Sequence, residues 1–282
     1  SDSAWLNPVS KGNLFHWTME TYCNEVIKQM PITQPEPDED KFNDIYHRMV
    51  EKMLNELPYV SESIFEQERE EARTVTWRFL CNLTKSFYQD TVVGTPKKEW
   101  RILGCELAFD EVDYDISGKS VLKINGVIHF NGSIDRLDGY VNAAGNLCLR
   151  VTDYKTGKRE NLEKNVKNEE QIQHFVYAMA ALEYFKNHKD ELEKVFGKQI
   201  NKAVIESVKY VFPYEEEKKQ EVDVTAKVME QKNAEAYHLP ETVRERAREC
   251  LYTCRFEYPK PELQSIIKQR MVDKKAEKKI CQ

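Results

Sequence analysis

Gly132-Ser133-Ile134-Asp135-Arg136-Leu137-Asp138, followed across an Ala144-Gly145-Asn146 turn by Leu149-Arg150-Val151-Thr152-Asp153-Tyr154-Lys155-Thr156-Gly157, is the stretch from which the fold can be read. Both segments are short, apolar-rich and bounded by turn residues, so they read as neighbouring strands. Asp135 on one strand and Asp153 on the next would repel each other strongly, and a divalent cation relieves such repulsion. Lys155 lies two residues beyond Asp153, so on a regular strand both side chains share a face. There an amine can hold an attacking water or meet the charge that develops on a phosphoryl transition state. For the Asp-x-Lys triplet alone, the competing reading is a surface hairpin that ends in a Thr-Gly turn.

The pattern around this pair is mixed. Phe15, Met19, Tyr22, Cys23, Val26, Ile27 and Met30 recur at helical spacing over 12–30, and Pro31 stops the run. A loop rich in proline and acids covers 31–40, a second helix 41–57 ends at Pro58, and a long polar helix covers 62–90. Strands are expected near 101–110, 121–130, 132–141 and 147–155, a helix over 168–187, a strand over 203–212, and charged helices over 222–256 and 261–280. The fold class is therefore α/β, of the α+β kind: a central mixed sheet with an antiparallel meander, flanked by helices and extended by helical N- and C-terminal additions. The 282 residues read as one domain with a helical part (1–95), a sheet and motif helix (96–215) and a second helical part (216–282).

Composition bounds the function. With 32% charged residues, a net charge of −6 and no apolar run near membrane-spanning length, the chain reads as globular, without a membrane span and not an indiscriminate nucleic-acid binder. Basic residues nevertheless gather after the motif, at Lys155, Lys158, Arg159, Lys164 and Lys167, where a local positive groove could form. Seven scattered cysteines read as free thiols, and no secretory signal is visible at Ser1-Asp2-Ser3-Ala4-Trp5, so a cytoplasmic location is expected. The missing initiator Met suggests a piece of a longer polypeptide. No Gly-x-x-x-x-Gly-Lys-Ser/Thr is present, so ATP-driven unwinding would reside elsewhere.

Three further features gather around the strand pair. The helix over 168–187 presents Gln173 and Tyr177 at i,i+4, side by side on one face. The first helix carries Gly12-Asn13-Leu14-Phe15-His16, whose imidazole is a good metal ligand. Glu106, on the strand before the meander, could add a carboxylate. His47, followed by Glu51 at i+4, competes with His16 as the helix ligand.

In this order and spacing the motifs resemble the PD-(D/E)XK nuclease superfamily over roughly residues 8–215, with greatest likeness to the C-terminal nuclease domain of AddB-type, RecB-like helicase-nucleases. The resemblance implies a restriction-endonuclease-like core and a Mg2+- or Mn2+-dependent DNA nuclease, an exonuclease of DNA repair or recombination with a helicase domain or subunit as partner. It implies that His16, Asp135 and Asp153 hold the metal, with the Tyr154 carbonyl assisting, that Lys155 is the catalytic lysine, and that Gln173 and Tyr177 shape the side facing single-stranded DNA or duplex ends. Arg136 reads as a structural ion-pair partner. Many relatives carry an iron–sulfur cluster on an early Cys and a late Cys-x-x-Cys; here Cys250-x-x-x-Cys254 with distant Cys281 departs from that pattern, so no cluster is expected. The reading from another class is a catalytically silent DNA-binding or scaffolding module of the same fold.

Overall fold

The computed structural model describes residues 4–29, 37–89, 98–115, 127–167 and 173–229. Its first helix, α1 (Pro8–Glu25), begins earlier than the apolar pattern suggests, because the Asn7 side chain accepts the Ser10 amide N–H and Pro8 fills the first turn. The helix ends at Glu25, and a single 3-10 turn (Ile27–Gln29) takes up the remainder of the predicted run. Helix α2 (Glu39–Glu56) starts at Asp38, whose carboxylate caps the Lys41 amide, and α3 (Glu62–Gln89) follows.

The sheet has five strands in the order β1 (Arg101–Asp115), β2 (Val127–Val141), β3 (Leu147–Tyr154), β4 (Ala203–Val211) and β5 (Glu221–Asp223). The first three form the expected antiparallel meander, whereas β4 runs parallel to β3. A parallel neighbour requires a long crossover, which α4 (Arg159–Lys167) and α5 (Gln173–Phe196) supply. A short α6 (Thr225–Met229) closes the described chain.

Several boundaries differ from those read in sequence. The strands expected at 121–130 and 132–141 are, over the described residues, one strand: Gly132 does not break it but lets the Phe109 ring lie over the backbone, where a Cβ would come within 3.2 Å of that ring. Helix α4 was hidden by its charge, since Leu162 is its buried residue. The stretch from 222 reads as helical by composition, yet 221–223 pairs with β4 as an edge strand. Residues 31–36 of the loop expected at 31–40, the turn expected at Ser117-Gly118, the parts beyond 229 of the helices expected over 222–256 and 261–280, and Cys250, Cys254 and Cys281 lie outside the described residues.

Two apolar clusters sandwich the sheet. One packs Leu137, Leu147, Leu149 and Val151 against Phe175, Val176, Ala178 and Ala181 of α5. The other packs Ile102, Cys105, Tyr140 and Tyr154 against α1, α2 and α3. Phe15, Phe79 and Tyr154 meet edge to face at centroid separations of 5.1–5.5 Å, and pairs of this kind contribute about 0.5–1.5 kcal/mol beyond burial. With Phe15 anchored inward, the next residue of α1, His16, is delivered to the end of the sheet.

Beneath this junction a buried polar network ties β2 to β3. Arg136 donates to both Asp138 carboxylate oxygens at 3.1 Å, to Tyr154 Oη at 2.6 Å and to Thr152 Oγ1 at 3.1 Å, while Arg150 reaches the same Asp138 at 2.9 Å. Asp138 has no exposed surface. The structural ion pair expected for Arg136 is therefore present, and it fixes the strand register that brings the acidic residues together.

Candidate metal centre

Strand pairing determines which carboxylates meet. On β1 and β2, Cys105 faces Arg136 and Leu107 faces Ile134, so Glu106 lies opposite Asp135. On β2 and β3, Arg136 faces Thr152, and the same register sets Asp153 opposite Asp135. Three carboxylates thus lie across neighbouring strands, and α1 adds an imidazole.

His16 Nδ1 is 2.7 Å from Glu106 Oε1 and 3.8 Å from Asp135 Oδ1. Among the described residues, His16, Glu106 and Asp135 form a group whose ligand atoms all lie within 4.8 Å of one another. The sequence reading had Glu106 as a supplementary carboxylate; the structure draws it into the inner group. Its backbone explains how, because Glu106 has φ of +46°, in the left-handed region that an L side chain enters at a cost on the order of 1 kcal/mol or more. Ser133 Oγ then donates to Glu106 Oε2 at 2.8 Å and holds the carboxylate in place.

Asp153 is arranged differently. It is buried, and its Oδ2 lies 2.6 Å from Lys155 Nζ in an ion pair. Lys155 also donates to Gln173 Oε1 at 2.9 Å, and Gln173 Nε2 donates to Tyr177 Oη at 3.3 Å. The three polar residues of the motif strand and the motif helix are therefore one hydrogen-bonded line. Tyr154 points the other way, into the core, but its amide N–H donates to Asp135 Oδ2.

The electrostatics follow from crowding. Burial, then repulsion from Asp153, pushes the Asp135 carboxyl up to about 8. Burial also raises Asp153, with Lys155 opposing the rise. Burial by itself would lower the His16 pKa, but the hydrogen bond it donates to Glu106 and the charge of Asp135 raise it overall. Glu106 is held below the usual carboxylate range because His16 and Ser133 together outweigh its burial. Tyr177 is pushed above the usual phenol range, by burial and then by Asp153, Asp135 and Glu106, and so keeps its proton at neutral pH. A buried carboxyl held back from ionising by its neighbours is the condition a hard divalent cation removes, and oxygen donors plus one imidazole suit such an ion.

His47, the alternative helix ligand, sits on the exposed face of α2, 3.2 Å from Glu51. Gly12 has a structural reason for its place: a Cβ there would lie 3.0 Å from Thr156 Oγ1, so glycine lets α1 approach the loop after β3. Residues missed by the sequence reading are Ser133, which lay inside the quoted motif, and His174 with Tyr210. His174 is buried, and both its backbone N–H and its Nδ1 lie 3.1 Å from Tyr210 Oη. Burial lowers its pKa to about 4, so the ring is neutral. Tyr210 pairs with Asp153 across β3 and β4, a neighbourhood that only the parallel crossover creates.

Comparison with known proteins adds one finding. A family model described as the PD-(D/E)XK nuclease superfamily matches residues 2–259, nearly the whole chain. No curated protein matches.

Proposed function

The chain belongs to the PD-(D/E)XK nuclease superfamily, and from that premise we propose that it is a divalent-cation-dependent deoxyribonuclease, an exonuclease of DNA repair or recombination that works beside a helicase. The observation that carries this reading is the meeting of His16, Glu106 and Asp135 within 4.8 Å at the sheet end where Lys155 is held by Gln173. In this proposal Mg2+ or Mn2+ is held by His16, Glu106, Asp135 and Asp153, with the Tyr154 carbonyl assisting. Such a cation supplies charge neutralisation and Lewis acidity to the phosphate oxygens.

The remaining work falls to the chain. Lys155 orients a water for in-line attack on the phosphorus and faces the charge gained by the phosphate oxygens. Gln173, itself held by Tyr177, stops the lysine from folding away. Ser133 keeps Glu106 on its strained backbone and aimed at the centre. Exposed Lys158, Lys164 and Lys167, on and before α4, are suited to sequence-independent phosphate contacts, so DNA affinity should fall steeply with salt.

The helicase association rests on the AddB-like order of the motifs. The described cysteines, Cys23, Cys81, Cys105 and Cys148, are free thiols, which suits a reducing cytoplasm. No helix among the described residues is long and apolar enough to cross a membrane. We take all 282 residues to act as one nuclease unit.

The test is cleavage of linear and circular DNA, single- and double-stranded, with Mg2+ or Mn2+. Asp153→Ala and Lys155→Ala should each lose cleavage while remaining folded. A variant that degrades DNA as fast as the parent removes the assigned role. Resistance of circular DNA supports exonuclease action, and a parent inactive on every substrate leaves the silent DNA-binding module as the reading.

A further inference from the structure

An open groove of about 560 Å³ runs along the outward face of α1, and its composition is unlike that of a phosphate channel. Its inner end is formed by His16 and Glu106, two of the three clustered ligands. Its walls include Val9, which leaves 71% of its surface exposed, together with Asn13, Trp17 and Glu20. Thr156 borders it from the loop after β3 and reaches the Pro8 carbonyl at 3.4 Å. The volume is that of a small-ligand pocket, large enough for one nucleoside.

The charges decide which part of a nucleic acid enters. Glu20 and Glu106 both border the groove, so a phosphodiester placed within it would meet two carboxylates. A neutral base meets an indole, a valine and a prolyl ring instead, with the Asn13 amide able to donate or accept at its edge. Positive charge is found at the same ring: the exposed Lys52 ammonium of α2 lies over the Trp17 ring, 3.8 Å from its centroid, so a base that stacks on that face displaces the ammonium toward the adjoining phosphate. A nucleotide chain can therefore lay one phosphate at the ligand cluster, a base along Trp17 and a further phosphate near Lys52.

We propose that this groove is a subsite for one unpaired nucleobase next to the scissile phosphate, with Trp17 as its aromatic wall, and that it directs the enzyme to single-stranded DNA or frayed duplex ends. The proposal rests on the nuclease reading above for the words "scissile phosphate". A base inside the groove is out of the helical stack, so a paired nucleotide enters only after opening. Stacking on an aromatic ring is worth about tenfold or more in affinity per base, enough to favour a single strand over a closed duplex.

The experiment measures binding of the full chain to a fluorescent single-stranded oligonucleotide by anisotropy in Ca2+, with one abasic residue moved along the strand; cleavage of the same strands is followed separately in Mg2+ or Mn2+. The unaltered protein should lose about tenfold in affinity when the abasic residue falls at one position only. Trp17→Ala should bind the intact strand about tenfold more weakly and show no further loss at that position, and Trp17→Phe should restore most of the affinity. Lys52→Ala should lower the salt dependence by about one ion. The abasic series on the unaltered protein stands even where Trp17→Ala fails to fold. The proposal is overturned by no measurable single-strand binding, by affinity indifferent to the abasic residue at every position, or by Trp17→Ala and abasic losses that multiply. A positional pattern without cleavage in either metal keeps the groove and removes the nuclease reading.

Discussion

Replacing Asp135 with asparagine should make the cation-free protein more stable while removing its activity. The reason is the cost of the site itself. An unfolded aspartate titrates near about 3.9, whereas burial and Asp153 hold the folded Asp135 up to about 8. Between those values the folded state binds a proton that the unfolded state has released, so stability falls as pH rises, by about 1.4 kcal/mol per unit. At pH 7 about three units have been crossed, which gives an upper limit of about 4 kcal/mol; relaxation of His16 and water entry reduce this to on the order of 2 kcal/mol. Asparagine carries no proton to lose, keeps an oxygen for the Tyr154 amide and no longer repels Asp153. Urea denaturation in EDTA should therefore show Asp135→Asn and parent close together near pH 4, with the variant ahead by a margin that widens up to pH 8. Adding Mn2+ should reverse the order, because a cation at one hundred times its dissociation constant adds about 2.7 kcal/mol to a protein that binds it. A variant less stable than the parent in EDTA at pH 8, or a margin independent of pH, would refute the picture of a carboxylate cluster strained by its own charge.

The other predictions concern the residues that aim the site. Gln173→Ala releases Lys155 and should reduce kcat about 10- to 100-fold with little change in single-strand affinity, measured by single-turnover cleavage and anisotropy. Ser133→Ala removes the donor that holds Glu106, and Mn2+ affinity by calorimetry should weaken about tenfold with the fold intact. Asp138→Ala leaves Arg136 and Arg150 without their shared carboxylate in the interior and should cost about 3–5 kcal/mol in denaturation, enough to prevent recovery of folded protein at 37 °C. Glu106→Gly should relieve the left-handed strain, keeping or slightly raising the melting temperature in EDTA while losing cleavage.

The site was legible in sequence where its chemistry is local. Asp153 and Lys155 sit two apart on one strand, and Gln173 and Tyr177 one helical turn apart, so strand and helix periods alone put each pair on a common face. His16 and Gly12 are likewise one turn apart, and the contact of Gly12 with Thr156 shows what that spacing serves. Boundaries were legible less often, because α4 buries only one leucine and Asn7 caps α1 ahead of its apolar pattern.

Sequence alone determined the residue types and their local faces: the meander, the acid-and-lysine strand end, and a helix bearing a histidine. Tertiary structure decided the rest. That Glu106 rather than Asp153 completes the inner group with His16 depends on a positive φ and on a hydroxyl from the neighbouring strand. That Asp135 resists ionisation depends on how two strands align, and the parallel crossover alone brings Tyr210 beside Asp153 and His174. Periodicity states which way a side chain points; distance and charge between elements arise only once the buried ion network and the aromatic junction have set the register.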